Sequence, residues 1–265
     1  MLALAALAGA AAGCREAMEA RFIYYPSRTL AADPSSAGLP FREVAFPAAD
    51  GVRLHGWLIT GRTPTTLLYA HGNGGNIGDR VSIARLLVRE LGVGVFMYDY
   101  RGYGRSEGTP SEAGLVSDAL GARAALLREG VAPEHVVYYG RSLGTAVTLD
   151  LALAHPPRGV VLESPFASVR AMANAVLPGA GYVFRTRWDS LAKIPRLAAP
   201  LLVLHSEADE VIPYAQGKAL FDAAPPPKTL FTIPGARHYD MDAQWPAYWA
   251  AWRAFLDGLQ LQQRL

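Results

Sequence analysis

Cysteine is almost missing from this chain: one, Cys14, in 265 residues. A single thiol excludes an internal disulfide and any zinc site built on several cysteines. Lysine is scarce as well, three of the 25 Lys and Arg residues. No basic run or stripe of the kind that tracks a nucleic-acid backbone stands out, so nucleic acid is not an expected partner. Past the first residues, no apolar stretch approaches the roughly 18 positions of a transmembrane helix. The H-E-x-x-H pattern of metal hydrolases and the P-loop pattern are both missing. Neither sign of charge dominates, since 25 basic against 23 acidic side chains leave +2. What is present is 51% hydrophobic and 18% charged. That is too apolar and too balanced for disorder, and long enough to bury one large core.

The first 13 residues, M-L-A-L-A-A-L-A-G-A-A-A-G, carry no charge and no polar side chain. As a helix they would reach about 20 Å, short of the roughly 30 Å apolar core of a bilayer. The run has the size of a signal-peptide apolar region with small residues at its end. It stops at Ala11-Ala12-Gly13-Cys14, which resembles a bacterial lipobox and makes Cys14 the expected lipid-attachment site. Ala11 replaces the usual Leu, and no basic residue precedes the run. The expected location is the bacterial cell envelope, lipid-anchored or secreted. An Ala-rich first helix of a cytoplasmic protein is the alternative. Residues 14–40 read as a connector, because Pro26, Pro34, Gly38 and Pro40 break any periodicity.

From residue 41 onward strands and helices alternate. Two half-buried strands at 41–46 and 53–59, joined by Asp50-Gly51, predict an antiparallel hairpin. Short apolar runs at 66–70, 94–98, 136–140, 159–163, 201–205 and 230–233 suit strands buried on both faces of a parallel sheet. Helical segments are expected at 79–91, 111–129, 142–154, 214–223 and 242–259. The last carries Trp245, Tyr248, Trp249, Trp252, Phe255, Leu256 and Leu259 on one face, spaced for packing on the sheet. The fold class is therefore α/β, with a mostly parallel sheet of about eight strands and helices on both faces. The stretch 164–200 has no clear strand and reads as an insertion over one end of the sheet.

The strongest local signal is Gly140-Arg141-Ser142-Leu143-Gly144, a G-x-S-x-G between an apolar strand and an apolar helix. That context is what a nucleophile elbow requires: a sharp turn lifts the serine hydroxyl clear of the sheet, and glycines avoid clashes where the chain doubles back. A serine hydroxyl is weakly nucleophilic and needs a general base. Of six histidines, His238 lies in a loop after the last strand and fits best. His155 ends a helix, where it suits a C-terminal cation. The acid that orients the imidazole should follow strand 201–205, where Asp209 is the first candidate and Glu207 and Glu210 stand behind it. For a developing oxyanion, one donor is worth about 3–4 kcal/mol. Leu143 supplies an N–H just past the nucleophile. Asn73, in His71-Gly72-Asn73-Gly74-Gly75-Asn76 after the third strand, supplies the second.

These motifs carry a family resemblance. H-G-N-G-G-N (71–76), D-Y-R-G-Y-G-R-S-E-G (99–108), G-R-S-L-G (140–144), E-S-P-F (163–166) and H-S-E-A-D-E-V-I-P (205–213) resemble the α/β-hydrolase serine hydrolases. The nearest branch contains bacterial envelope hydrolases and eukaryotic lipid and depalmitoylating hydrolases. The likeness runs from about residue 22 to 258 and includes R-F-I-Y-Y-P-S-R near its start. It implies Ser142, Asp209 and His238 as catalytic triad, in the nucleophile–acid–base order of that fold. It implies a hydrolase domain over 41–265, with a short cap at about 164–200 in place of a full lid. Asp99 and its loop are implied to hold the oxyanion loop. The segment G-A-R-H-Y-D departs from the usual G-x-G-H-[ND]-x pattern, with Ala236-Arg237 in place of a Gly-rich turn and Tyr239 after the histidine.

The expected activity is thus cleavage of a carboxylic ester or thioester through an acyl-enzyme, with no cofactor and no metal. Phe166, Met172, Tyr182, Phe184 and Trp188 suggest an apolar pocket for an acyl substrate, with plain cap packing as the alternative. A serine peptidase of the same fold is the enzymatic alternative. A non-catalytic, lipid-anchored binding protein is the other, since a fold alone does not prove activity. A dinucleotide site is disfavoured, because no G-x-G-x-x-G opens the first β-α unit.

Overall fold

The alternation of short apolar runs with helical segments becomes a single eight-stranded sheet in the computed structural model, which describes residues 23–184, 186–240 and 246–262. The leader, Cys14 and Trp245 lie outside the described residues. The strands are β1 (Tyr25–Pro26), β2 (Phe41–Pro47), β3 (Arg53–Ile59), β4 (Thr66–Ala70) and β5 (Gly74–Gly75). They continue with β6 (Gly94–Tyr98), β7 (Val136–Arg141), β8 (Gly159–Glu163), β9 (Leu201–Ser206) and β10 (Lys228–Ile233). The large sheet runs β10-β9-β8-β7-β4-β6-β3-β2 and is parallel except where β3 meets its neighbours β2 and β6.

Helices cover both faces: α1 (Val81–Leu91), α2 (Glu112–Arg128), α3 (Leu143–Ala154), α4 (Val169–Val176), α5 (Ser190–Lys193), α6 (Tyr214–Ala223) and α7 (Pro246–Gln262). Successive strand residues point to opposite faces, so each central strand feeds two cores. Val137 and Tyr139 of β7 pack with Ile83 and Leu87 of α1 and with Trp252 and Leu256 of α7. Val136 and Tyr138 pack on the other face with Leu126 of α2 and Val147 of α3. The aromatic stripe of the last helix is therefore core, as its spacing predicts.

Two regions differ from the sequence reading. The described part of the connector is seated on the domain. Tyr24 is buried, and β1 pairs in parallel with the Gly74-Gly75 strand of the loop after β4. A two-residue strand lying on glycines leaves no periodic trace in the sequence. The 164–200 insertion forms two short helices, α4 and α5, with one 3-10 turn between them and another directly after α5. Ser168 caps α4 by accepting from Ala171 N–H at 3.0 Å.

Candidate active site

Loops at the C-terminal ends of β4, β7, β9 and β10 carry the chemistry-bearing residues. At the end of β7 the chain turns at Ser142 with φ 53° and ψ −119°, then enters α3. Positive φ is costly for a residue with a Cβ and is held here by its surroundings. Ser142 N–H donates to the Glu163 carbonyl at 2.9 Å, and its own carbonyl accepts from Thr145 N–H at 2.9 Å. The two glycines of the motif are sterically required. A Cβ on Gly140 would lie 2.4 Å from the Gly144 carbonyl oxygen, and one on Gly144 would lie 2.0 Å from that of Ala70.

A cavity of about 990 Å³ opens over this turn, and Ser142, Leu143, Asn73 and His238 all line it. His238 Nδ1 meets Asp209 Oδ2 at 2.9 Å and Oδ1 at 3.1 Å. The Asp209 side chain is fully buried, and its Oδ1 also accepts the N–H groups of Val211 and Ile212 at 2.9 and 2.8 Å. Burial pushes the Asp209 carboxyl up, but hydrogen bonds from His205, His238 and Ile212 outweigh it and hold the group below the usual carboxylate range. Of the other two acid candidates, Glu210 accepts the backbone N–H of His238 at 3.0 Å and Glu207 is exposed.

The loop after β4 is held from below and from the side. Ile77 N–H donates to the buried carboxylate of Asp99 at 2.9 Å, and Tyr100 Oη donates to the His71 carbonyl at 2.7 Å. Asn73 Oδ1 accepts from Tyr25 N–H at 3.3 Å and from Tyr103 Oη at 3.2 Å. The D-Y-R-G-Y-G segment thus braces this loop, and the N-terminal strap braces it too. Leu143 N–H belongs to the first turn of α3, where amides have no carbonyl partner within the helix.

Phe166, Met172 and Phe184 stand in the cavity wall. The other two aromatics expected there do not. Trp188 is fully buried, its indole N–H donating to Tyr24 Oη at 3.1 Å, and it belongs to the core. Tyr182 is exposed in the cap, with Arg170 over its ring. Sequence reasoning assigned no role to Glu163, yet it ties the site together. Its buried Oε2 accepts from Tyr139 Oη at 2.8 Å and from Tyr248 Oη at 2.7 Å. Its Oε1 lies 3.3 Å from Arg141 Nε, and Arg141 in turn donates to the His238 carbonyl at 2.9 Å. Among the described residues no group of three or more His, Cys, Asp or Glu is placed to hold a metal ion.

The comparisons agree with this architecture. The Hydrolase_4 family, described as serine aminopeptidase, S33, matches residues 62–193 and 183–241. The uncharacterized protein YfhR of Escherichia coli K12 is 38% identical over 231 residues, covering 83% of this chain and 80% of that one. The α/β-hydrolase domain-containing protein WAV2 of Arabidopsis thaliana is 32% identical over 254 residues, covering 84% and 82%. Among solved structures, an esterase of Pyrococcus furiosus superposes with a TM-score of 0.74 at 17% identity, covering 89% of this chain and 98% of the esterase. The chain belongs to the Hydrolase_4 family of α/β-hydrolases.

Proposed function

We propose that the protein is a serine hydrolase that cleaves carboxylic esters or thioesters of apolar acyl groups. Ser142 Oγ attacks the carbonyl carbon while His238 Nε2 takes its proton. Asp209 fixes the imidazole with Nδ1 protonated and stabilises the imidazolium that forms. The N–H groups of Asn73 and Leu143 receive the oxyanion. The tetrahedral intermediate collapses as His238 returns the proton to the leaving alcohol or thiol. Water, deprotonated by His238, then releases the acid from Ser142. The observation that carries the reading is the 2.9 Å contact of His238 with a buried Asp209, in a loop that shares one cavity with an elbow serine. Phe166, Met172 and Phe184 give the acyl side an apolar wall.

A fluorophosphonate probe tests the mechanism: labelling of the wild type and none of Ser142→Ala is expected. A chain-length series of p-nitrophenyl esters reads the acyl pocket. Wild-type turnover by Ser142→Ala would overturn the assignment.

A peptidase reading follows from the description of the matched family. Recognition of a free amino terminus calls for a carboxylate in the substrate site. Among the described residues lining the cavity Asp79 is the carboxylate, and its Oδ2 already accepts from Asn76 N–H at 2.9 Å. Ester turnover with no turnover of aminoacyl p-nitroanilides is therefore the expected pattern. Cys14 is the proposed lipid-attachment site at the cell envelope, and a Cys14→Ser variant should shift from the membrane to the soluble fraction.

A further inference from the structure

Four large exposed apolar side chains, Tyr25, Val176, Val211 and Tyr239, line this cavity, and further ones follow Val176 along the cap. In the cap, Val176 is 86% exposed, Leu177 63%, Tyr182 74% and Val183 62%. Tyr25 and Tyr239 are exposed on the cavity lining, which Val176 also joins. Apolar side chains in that number around one opening mark an interaction surface.

Two further observations identify the occupant. The first is charge. The 164–200 insertion carries five basic residues (Arg170, Arg185, Arg187, Lys193, Arg196) and one acid, Asp189, a balance of 5 − 1 = +4 in a chain whose total is +2. Lys193 is paired with Asp150, whereas Arg170 stands over the ring of the exposed Tyr182. A net basic segment carrying aliphatic side chains and tyrosine matches the headgroup region of an anionic bilayer. The second is the chain that precedes the rim. Ile23 lines the cavity, and Cys14 with its 13-residue apolar run lies 23 − 14 = 9 residues upstream. Nine residues span at most about 30 Å. A chain held to a membrane through that segment keeps the cavity mouth near the bilayer surface.

We infer that the cap rim around Leu177 and Val183 docks on an anionic lipid surface, so that the cavity opens toward the bilayer. Joined to the hydrolase reading, on which this consequence rests, it puts the entrance to Ser142 at the bilayer surface. Docking itself does not depend on that reading.

The test uses the full chain and its Leu177→Ser/Val183→Ser variant with vesicles of phosphatidylethanolamine and phosphatidylglycerol. Contributions of the leader and the rim to the partition coefficient multiply, so loss of the rim remains visible beside an anchored N-terminus. The double variant is expected to bind about tenfold more weakly, given the apolar area it removes. It should also hydrolyse a soluble short-chain p-nitrophenyl ester at the wild-type rate. Ser142→Ala should partition like the wild type, which separates docking from catalysis. Amides 176–183 of the full chain should gain hydrogen-exchange protection when vesicles are added. An unchanged partition coefficient in the double variant overturns the inference. So does rim protection that is already complete without lipid, as when a second copy or the chain's own leader covers the rim.

Discussion

His205 Nε2 stands 3.2 Å from Asp209 Oδ2, so the carboxylate that meets His238 meets a second, fully buried imidazole as well. The same Nε2 lies 3.1 Å from the Ile212 carbonyl oxygen, which accepts only, so the proton of His205 resides on Nε2. Its Nδ1 is turned against α6, where a Cβ on Gly217 would come within 2.1 Å. His205 thus donates to the same Asp209 oxygen that His238 meets at 2.9 Å and helps fix the carboxylate's rotation. Asp209→Asn would leave the shape intact but favour the wrong His238 tautomer, and a kcat loss of about 10⁴ is expected. His205→Ala removes one hydrogen bond to a charged group, worth about 1.5–3 kcal/mol. Its kcat/KM should fall by about 10- to 100-fold on a p-nitrophenyl ester. Wild-type kinetics in His205→Ala would assign that histidine to packing alone.

Gly144→Ala should be among the most damaging single-methyl changes in the domain. The added Cβ would sit 2.0 Å from the Ala70 carbonyl oxygen, at the junction of β4 and β7, and backbone has little freedom to yield there. Overpacking of this kind costs about 1–3 kcal/mol. Urea unfolding should show the midpoint shifted down with an unchanged slope. Displacement of the elbow should lower kcat even in the folded fraction.

Tyr103→Phe isolates the brace on Asn73. The phenol donates to Asn73 Oδ1 at 3.2 Å, and Tyr25 N–H remains as the second donor. Loss of one of two constraints loosens the loop that presents the Asn73 amide without removing it. A drop of about threefold to tenfold in kcat is expected, within the roughly 0.5–1.5 kcal/mol of one neutral hydrogen bond. KM should change little, because the interaction matters most as negative charge develops on the substrate oxygen. Steady-state kinetics with one ester decide it; a change confined to KM would place Asn73 in ground-state binding.

The parts of this molecule that were legible in the sequence are those that repeat or that punctuate. Apolar runs gave away the parallel strands, because the central ones are buried on both faces and bounded by turn residues, and alternation gave away the half-buried hairpin. Ser142, Asp209 and His238 were legible because each follows a strand end, in an order the fold dictates. Tertiary relationships were not. Glu163 was visible only as part of E-S-P-F, and nothing along the chain says that Tyr248, 85 residues away, donates to it. Trp188 and Tyr182 sit six residues apart in one aromatic-rich stretch, yet one is core and the other exposed. Composition counts aromatics but does not say which way they turn. The strap at Tyr25 was read as a connector because its order comes from a partner loop and not from its own periodicity.

His71 gives the domain an acid limit. It is fully buried under the loop after β4, its ring 4.2 Å from that of Tyr100, with Nδ1–H on the Gly72 carbonyl at 2.7 Å and no partner at Nε2 among the described residues. Burial pushes its pKa down from 6.5 to about 4. In the unfolded chain this histidine takes up a proton below about pH 6.5, whereas in the folded protein it stays neutral until about pH 4. Between those values the unfolded state binds more protons, so stability falls as pH falls. At about 1.36 kcal/mol per pH unit, the window of 6.5 − 4 = 2.5 units amounts to roughly 3 kcal/mol from one side chain. Denaturant unfolding at pH 7 and pH 4.5 should show most of that difference in the wild type. In His71→Phe the same comparison should show a loss smaller by about 2 kcal/mol, whatever the variant's stability at neutral pH. Equal losses in both proteins would mean that His71 is protonated in the native state, with water reaching Nε2 beneath the loop.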